Sequence, residues 1–102
     1  MKDTKVANTV QMFDLGKLLL SQGVNDLVAD NGEFARHVLG CLWRHAKGDW
    51  GDLCEGDKRE NELAVREGLR ILSAYESWEF PKLWIITEAD RSVTTVLFPD
   101  EY

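Results

Sequence analysis

The chain of 102 residues has only two prolines and two cysteines, and no long apolar run. So little proline, beside 44% hydrophobic and 29% charged residues, excludes a Pro-rich disordered chain and describes one domain with a core of its own. No stretch reaches the ~18 apolar residues of a membrane span. The opening MKDTKVANTVQMF also lacks the hydrophobic segment and small-residue cleavage site of a secretory leader. A cytoplasmic location is the expectation that follows, and there Cys41 and Cys54 are expected as thiols rather than as a disulfide. Other absences concern chemistry. There is no phosphate-cradling glycine loop, no strand-turn-helix elbow at Ser73 or Ser92, and no basic stripe interleaved with aromatics. Nucleotide hydrolysis, serine catalysis and direct nucleic-acid binding therefore have no motif behind them.

What the chain has in excess is acid, and it is unevenly placed. Residues 1–48 hold five Asp/Glu against six Lys/Arg, whereas residues 49–102 hold thirteen against six, within a net charge of −6. The stretch HAKGDWGDLCEGDKRENE, residues 45–62, carries six of those carboxylates. Such a surface repels nucleic acid and attracts basic proteins.

Periodicity divides the chain near Gly68. The segment VANTVQMF has the β-branched character of a short strand or extended lead-in. DLGKLLLSQG, with Asp14 as a cap and a glycine stop, fits a short helix or turn, and GVNDLVAD a second short helix before the break at Asn31-Gly32. In GEFARHVLGCLWRHAKG the residues Phe34, Val38, Cys41, Leu42 and His45 recur at steps of three and four, which puts them on one helical face ended by Gly48. Asp57, with Glu60 at capping-box spacing, can start a further helix that stops at Gly68. Beyond it the period becomes two, and strands are expected over roughly 69–77, 82–88 and 92–98, with turns at EFPK and EADRS. The predicted fold is α+β: helices over 14–68 packed on a three-stranded antiparallel β-meander over 69–98, in a single domain.

A two-His, two-Cys zinc site can be drawn from His37, Cys41, His45 and Cys54. Along one helix, however, the first three drift round by about 80°, and no Cys-x-x-Cys knuckle accompanies them. Neither metal nor any other cofactor is expected: Cys41 reads as a small core residue and His45 as a polar group anchoring the helix end. Cys54 stands among carboxylates, which disfavour a thiolate nucleophile, and no pair of acids is singled out by spacing for hydrolysis, so no catalytic residue is assigned. Tryptophans 43, 50 and 84 read as core anchors. Trp78, beside Phe80 in the turn YESWEFPK, is the candidate exposed aromatic of an interface.

The segments RHAKGDWGDL, NELAVREGLRILSAY and WIITEADRSVTTVLFPDEY, across residues 44–102, resemble a set of small plasmid- or phage-related proteins of unknown function. These share a Gly-Asp-Trp-Gly-Asp loop and a Thr-Glu-Ala-Asp-Arg-Ser segment near a terminal tyrosine. Residues 1–43 lie outside the resemblance. It implies a mobile-element origin, and such elements encode compact acidic inhibitors that present carboxylates where a defence complex expects phosphates. The expected function is thus a non-enzymatic, anti-CRISPR-like inhibitor of a basic nucleic-acid-binding host complex. Its contact residues would be Asp49, Asp52, Glu55, Asp57, Glu60 and Glu62, with Trp78 and Glu79 as a second patch. The alternative is a small-ligand or hydrolytic pocket around His45, Asp90 and Arg91, with Asn61, Arg70, Tyr75, Thr87 and Glu88 beside them.

Overall fold

A computed structural model describes residues 11–102; most of the expected N-terminal strand, Val6 to Val10, lies outside the described residues. In chain order the elements are β1 (Lys17–Leu20), α1 (Gln22–Asp30), α2 (Gly32–Ala46), α3 (Glu55–Glu67), β2 (Ile71–Tyr75), β3 (Leu83–Thr87) and β4 (Val93–Leu97), closed by a 3-10 turn at Pro99–Glu101. The fold is α+β, as the change of period at Gly68 implies. The meander β2–β3–β4 is antiparallel, with Ser73 opposite Ile85 and Ile85 opposite Val96.

The sheet nevertheless has four strands, in the order β1-β4-β3-β2, because KLLL pairs parallel to β4. The expected helix or turn at DLGKLLLSQG is therefore corrected to a strand. Four residues are too few to nucleate a helix, and the free edge of β4 offers them a hydrogen-bonding partner instead. Gly16 makes this possible: it sits at a φ of 66°, and a Cβ there would run into the Ser92 backbone that starts β4. Ser21 then ends the strand by capping α1, its hydroxyl accepting from the Val24 amide.

The break at Asn31 serves two helices. Its amide closes α1 on the Leu27 carbonyl, while its side chain accepts from the Glu33 and Phe34 amides to open α2. The anticipated face of α2 is the buried one: Phe34, Val38, Cys41 and Leu42 pack on Tyr75, Leu83, Ile85 and Val96 of the sheet. Each fully buried side chain of this size is worth about 1.5–3 kcal/mol. The start of α3 is corrected by one turn. Cys54 is the N-cap and provides no side-chain bond, while Asp57 lies inside the first turn beside Glu55. Both acids complement the helix dipole there. Gly68 ends α3 in the left-handed conformation, as expected. A smaller core of Phe13, Trp50, Ala64 and Ile71 joins α3 to the β2 side of the sheet.

Candidate functional site

The Gly-Asp-Trp-Gly-Asp loop docks on the outer edge of β2. Gly51 forms a parallel bridge with Ala74, the Asp52 amide donates to the Ala74 carbonyl (2.7 Å), and the Ala74 amide donates to the Trp50 carbonyl (3.3 Å). Only glycine fits at position 51: its φ is 78°, and a Cβ would collide with the Ala74 carbonyl and the Tyr75 ring. Next along the same edge, the Asn61 side chain donates to the Leu72 carbonyl (2.8 Å) and accepts from its amide (3.3 Å). An asparagine amide thus substitutes for one step of a neighbouring strand, and the β2 edge is closed.

The loop acids have distinct positions. Asp49 pairs with Arg44 (2.7 Å) and accepts from the Gly51 amide; the Arg44 bond holds its carboxyl below the usual range. The Asp52 carboxylate accepts from the Glu76 amide (2.8 Å), tying the loop to the start of the β2–β3 turn. Glu62 accepts from the Trp50 indole (2.8 Å). Asp49, Asp52 and Glu62 therefore shape the loop as well as charging it. Glu55 makes an exposed pair with Lys58 (3.7 Å), and Asp57 and Glu60 line a pocket of about 260 Å³ with Asn61, Arg70 and Leu72. This pocket lies below the usual 300–1,000 Å³ of small-molecule sites.

Trp78 is 96% exposed. Phe80, two residues on, turns inward against Phe34 and His37, so the turn is anchored by one aromatic and presents the other. Glu76 and Glu79 flank Trp78 and are exposed. The Asp52–Glu76 bond joins the acidic loop to the turn that carries Trp78 and Glu79, and Glu76 is itself paired with Lys82 (3.4 Å), whereas Asp57 and Glu60 line a pocket beside α3. Of the other tryptophans, Trp50 is buried as expected and Trp84 is half-buried against Tyr102. Trp43 is corrected from core anchor to exposed residue, since it points away from the buried face of α2 and lies under the Lys47 ammonium.

The residues of the alternative pocket are engaged in holding the fold together. His45 is fully buried, with Nδ1 2.6 Å from the Ser73 hydroxyl and Nε2 2.9 Å from that of Thr87. Thr87 lies 2.7 Å from Thr94, whose hydroxyl donates to the Leu15 carbonyl (2.6 Å). Because each hydroxyl has one proton, Thr94 donates to Leu15, Thr87 to Thr94 and His45 Nε2–H to Thr87. Burial pushes the His45 pKa down to about 4, so at neutral pH the ring is the Nε2–H tautomer and its Nδ1 accepts from the Ser73 hydroxyl. Arg91, at a φ of 62°, turns its guanidinium onto the C-terminal end of α3, donating to the carbonyls of Ala64 (2.8 Å) and Leu69 (2.6 Å). Asp90 accepts from the Ser92 amide and hydroxyl within its own turn.

Sequence reading missed the Ser73–His45–Thr87–Thr94 chain and the edge-closing Asn61. A signal for the first was present: Ser73 and Thr87 fall at inward positions of alternating strands, where an apolar residue is the rule. Both cysteines are free thiols. The Cys41 sulfur lies 3.7 Å from His37 Nε2, and burial pushes this thiol up to about 11, the opposite of an activated nucleophile. Among the described residues no group of three or more His, Cys, Asp or Glu is placed to hold a metal ion, and no helix is long and apolar enough to cross a membrane. No protein-family model, curated protein or solved structure matches the chain.

Proposed function

We propose that this chain is a non-enzymatic interaction protein, encoded by a mobile element, that inhibits a basic nucleic-acid-binding host complex of the nucleic-acid-guided defence type. The observation that carries this reading is Trp78, fully presented to solvent between exposed Glu76 and Glu79 on a turn that Phe80 and Asp52 hold in place. An exposed aromatic on an ordered turn supplies the anchor that acid alone lacks; Asp49 and Glu76 are paired with Arg44 and Lys82, and the field that steers a basic partner comes from the excess of acid over base in residues 49–102. The resemblance of residues 44–102 to plasmid- and phage-related proteins supports the genetic setting. Engagement of His45, Asp90 and Arg91 by the fold itself weighs for this reading and against the pocket.

The test is kinetic. Binding to purified guide-RNA-loaded effector complexes is measured for the wild type, for Trp78→Ala, and for the triple reversal of Glu55, Glu60 and Glu79 to lysine. The reversal spares Asp52 because its carboxylate holds the turn. Reversal is expected to lower the association rate and flatten its salt dependence, whereas Trp78→Ala is expected to speed dissociation. A wild type that binds none of these complexes, or variants that bind as it does, would remove the proposal.

A further inference from the structure

We infer that the chain forms a two-fold dimer by pairing β1 with β1 of a second copy, which extends the sheet from four strands to eight. The inference is independent of the proposed partner and rests on the contrast between the two edges of the sheet. At the β2 edge, Trp50, Asp52 and Asn61 take the outward groups of Leu72, Ala74 and Glu76. The β1 edge has no equivalent. The Lys17 amide donates to the Ser92 carbonyl and the Ser21 amide to the Val96 carbonyl, both at 2.9 Å. Odd-numbered residues of β1 thus face β4, and the N–H and C=O of Leu18 and Leu20 point outward. Among the described residues nothing takes them. No charge, proline or bulge guards this edge between Leu18 and Leu20, although edges are ordinarily guarded in this way.

The side chains agree with the backbone. Leu18 and Leu20 line an apolar groove of about 380 Å³ with Val28, Val38, Leu39 and Leu42. Leu18 is 50% exposed and Leu39 65%. A strand pair alone falls short of the ~800 Å² per partner of a stable interface, and Leu39 on α2 provides the apolar surface that continues it.

Three features select a second copy as the occupant. The first is register. The outward pair Leu18 and Leu20 can meet their own counterparts antiparallel only with Leu18 opposite Leu20 and Leu19 opposite Leu19. The result is four hydrogen bonds about an axis perpendicular to the sheet, with leucine against leucine on both faces. The second is charge: Lys17 is the one charged residue of β1, and the Glu101 carboxylate that reaches the strand's end is taken by the Ser21 hydroxyl and the Gly23 amide, so two copies meeting along Leu18–Leu20 set no carboxylates against one another. The third is topology. With the order β1-β4-β3-β2, the acidic loop is bound to the opposite edge, about 14 Å away at ~4.8 Å per strand, so dimerisation leaves both acidic surfaces free.

Sedimentation equilibrium at micromolar concentration is expected to give twice the mass of the chain. Leu19→Lys sets two like charges directly opposite one another and should weaken self-association at least tenfold with an unchanged circular dichroism spectrum. Leu63→Lys, at an exposed leucine of α3, should leave the dimer intact. In a Cys54→Ser background, Leu19→Cys should oxidise to a covalent dimer, because the α-carbons of such a non-hydrogen-bonded pair stand about 4.5 Å apart, within disulfide reach. A monomeric wild type overturns the inference. So does a monomer that dimerises only after deletion of residues 2–10, which would identify the chain's own N-terminal segment as the occupant. A dimer insensitive to Leu19→Lys and not cross-linked through Cys at position 19 overturns it equally.

Discussion

Acid should loosen this protein through one buried ring. His45 sits at the centre of a hydroxyl chain that uses both its nitrogens, and burial lowers its pKa from 6.5 to about 4. Above pH 6.5 neither the folded nor the unfolded state holds the extra proton, and the full stability is present. Between 6.5 and about 4 only the unfolded state takes it up, so stability falls with pH; below about 4 both states are protonated and the loss is complete. At 1.36 kcal/mol per pKa unit the whole loss is about 3 kcal/mol, and about 2 kcal/mol of it is incurred between pH 7 and pH 5. That is a large part of the ~5–15 kcal/mol that holds a domain folded. The carboxyls of Asp49, Asp90 and Glu101, each held low by hydrogen bonds, add their own losses only in more acid solution. The pH 7 to 5 interval therefore belongs to histidine. His37 is also lowered, chiefly by burial, and shifts stability in the same direction, so His37→Gln is the control. Urea unfolding of the wild type, His37→Gln and His45→Leu at both pH values makes the test. His45→Leu should cost about 1–3 kcal/mol at pH 7 by stranding the Ser73 hydroxyl, and should unfold with most of the pH slope gone. A His45→Leu variant that keeps the wild-type slope would refute the assignment of a neutral, trapped imidazole.

Two further outcomes follow from the same geometry. Gly51→Ala must hold a side chain at positive φ against the Ala74 carbonyl; the conformational cost of ~1–2 kcal/mol and overpacking of ~1–3 kcal/mol predict a loss of about 2–5 kcal/mol in chemical denaturation. With its thiol pushed up to about 11, Cys41 is about one-thousandth thiolate at pH 8, so a thiol reagent should modify exposed Cys54 alone in the native protein and both cysteines in urea, as counted by mass spectrometry.

Helix α2 and the meander could be read from the chain because their signals are local. A three-and-four repeat of apolar residues decides which face of a helix is buried, and alternation of β-branched residues decides which face of a strand is. The stops at Asn31, Gly48 and Gly68 were legible for the same reason, since capping and positive φ are properties of a single residue and its immediate neighbours. The crowding of carboxylates between Asp49 and Glu62 was equally plain, as was the aromatic turn at Trp78.

What escaped the sequence depends on partners distant along it. KLLL is a strand because β4, more than seventy residues later, offers it an edge. Asn61 closes β2, and Arg91 returns to the end of α3. His45 looks the same in sequence whether it ligates a metal, transfers a proton or is locked by Ser73 and Thr87; only the sheet register that sets those hydroxyls beside it decides. By itself, then, the sequence determined the α+β class, the buried faces and the placement of charge, all of which arise from spacing along the chain. The tertiary structure alone decided which edge of the sheet is sealed, which polar groups are engaged within the fold, and that Asp52 ties the acidic loop to the turn bearing Trp78, because each of these is a pairing between residues brought together only when the chain closes.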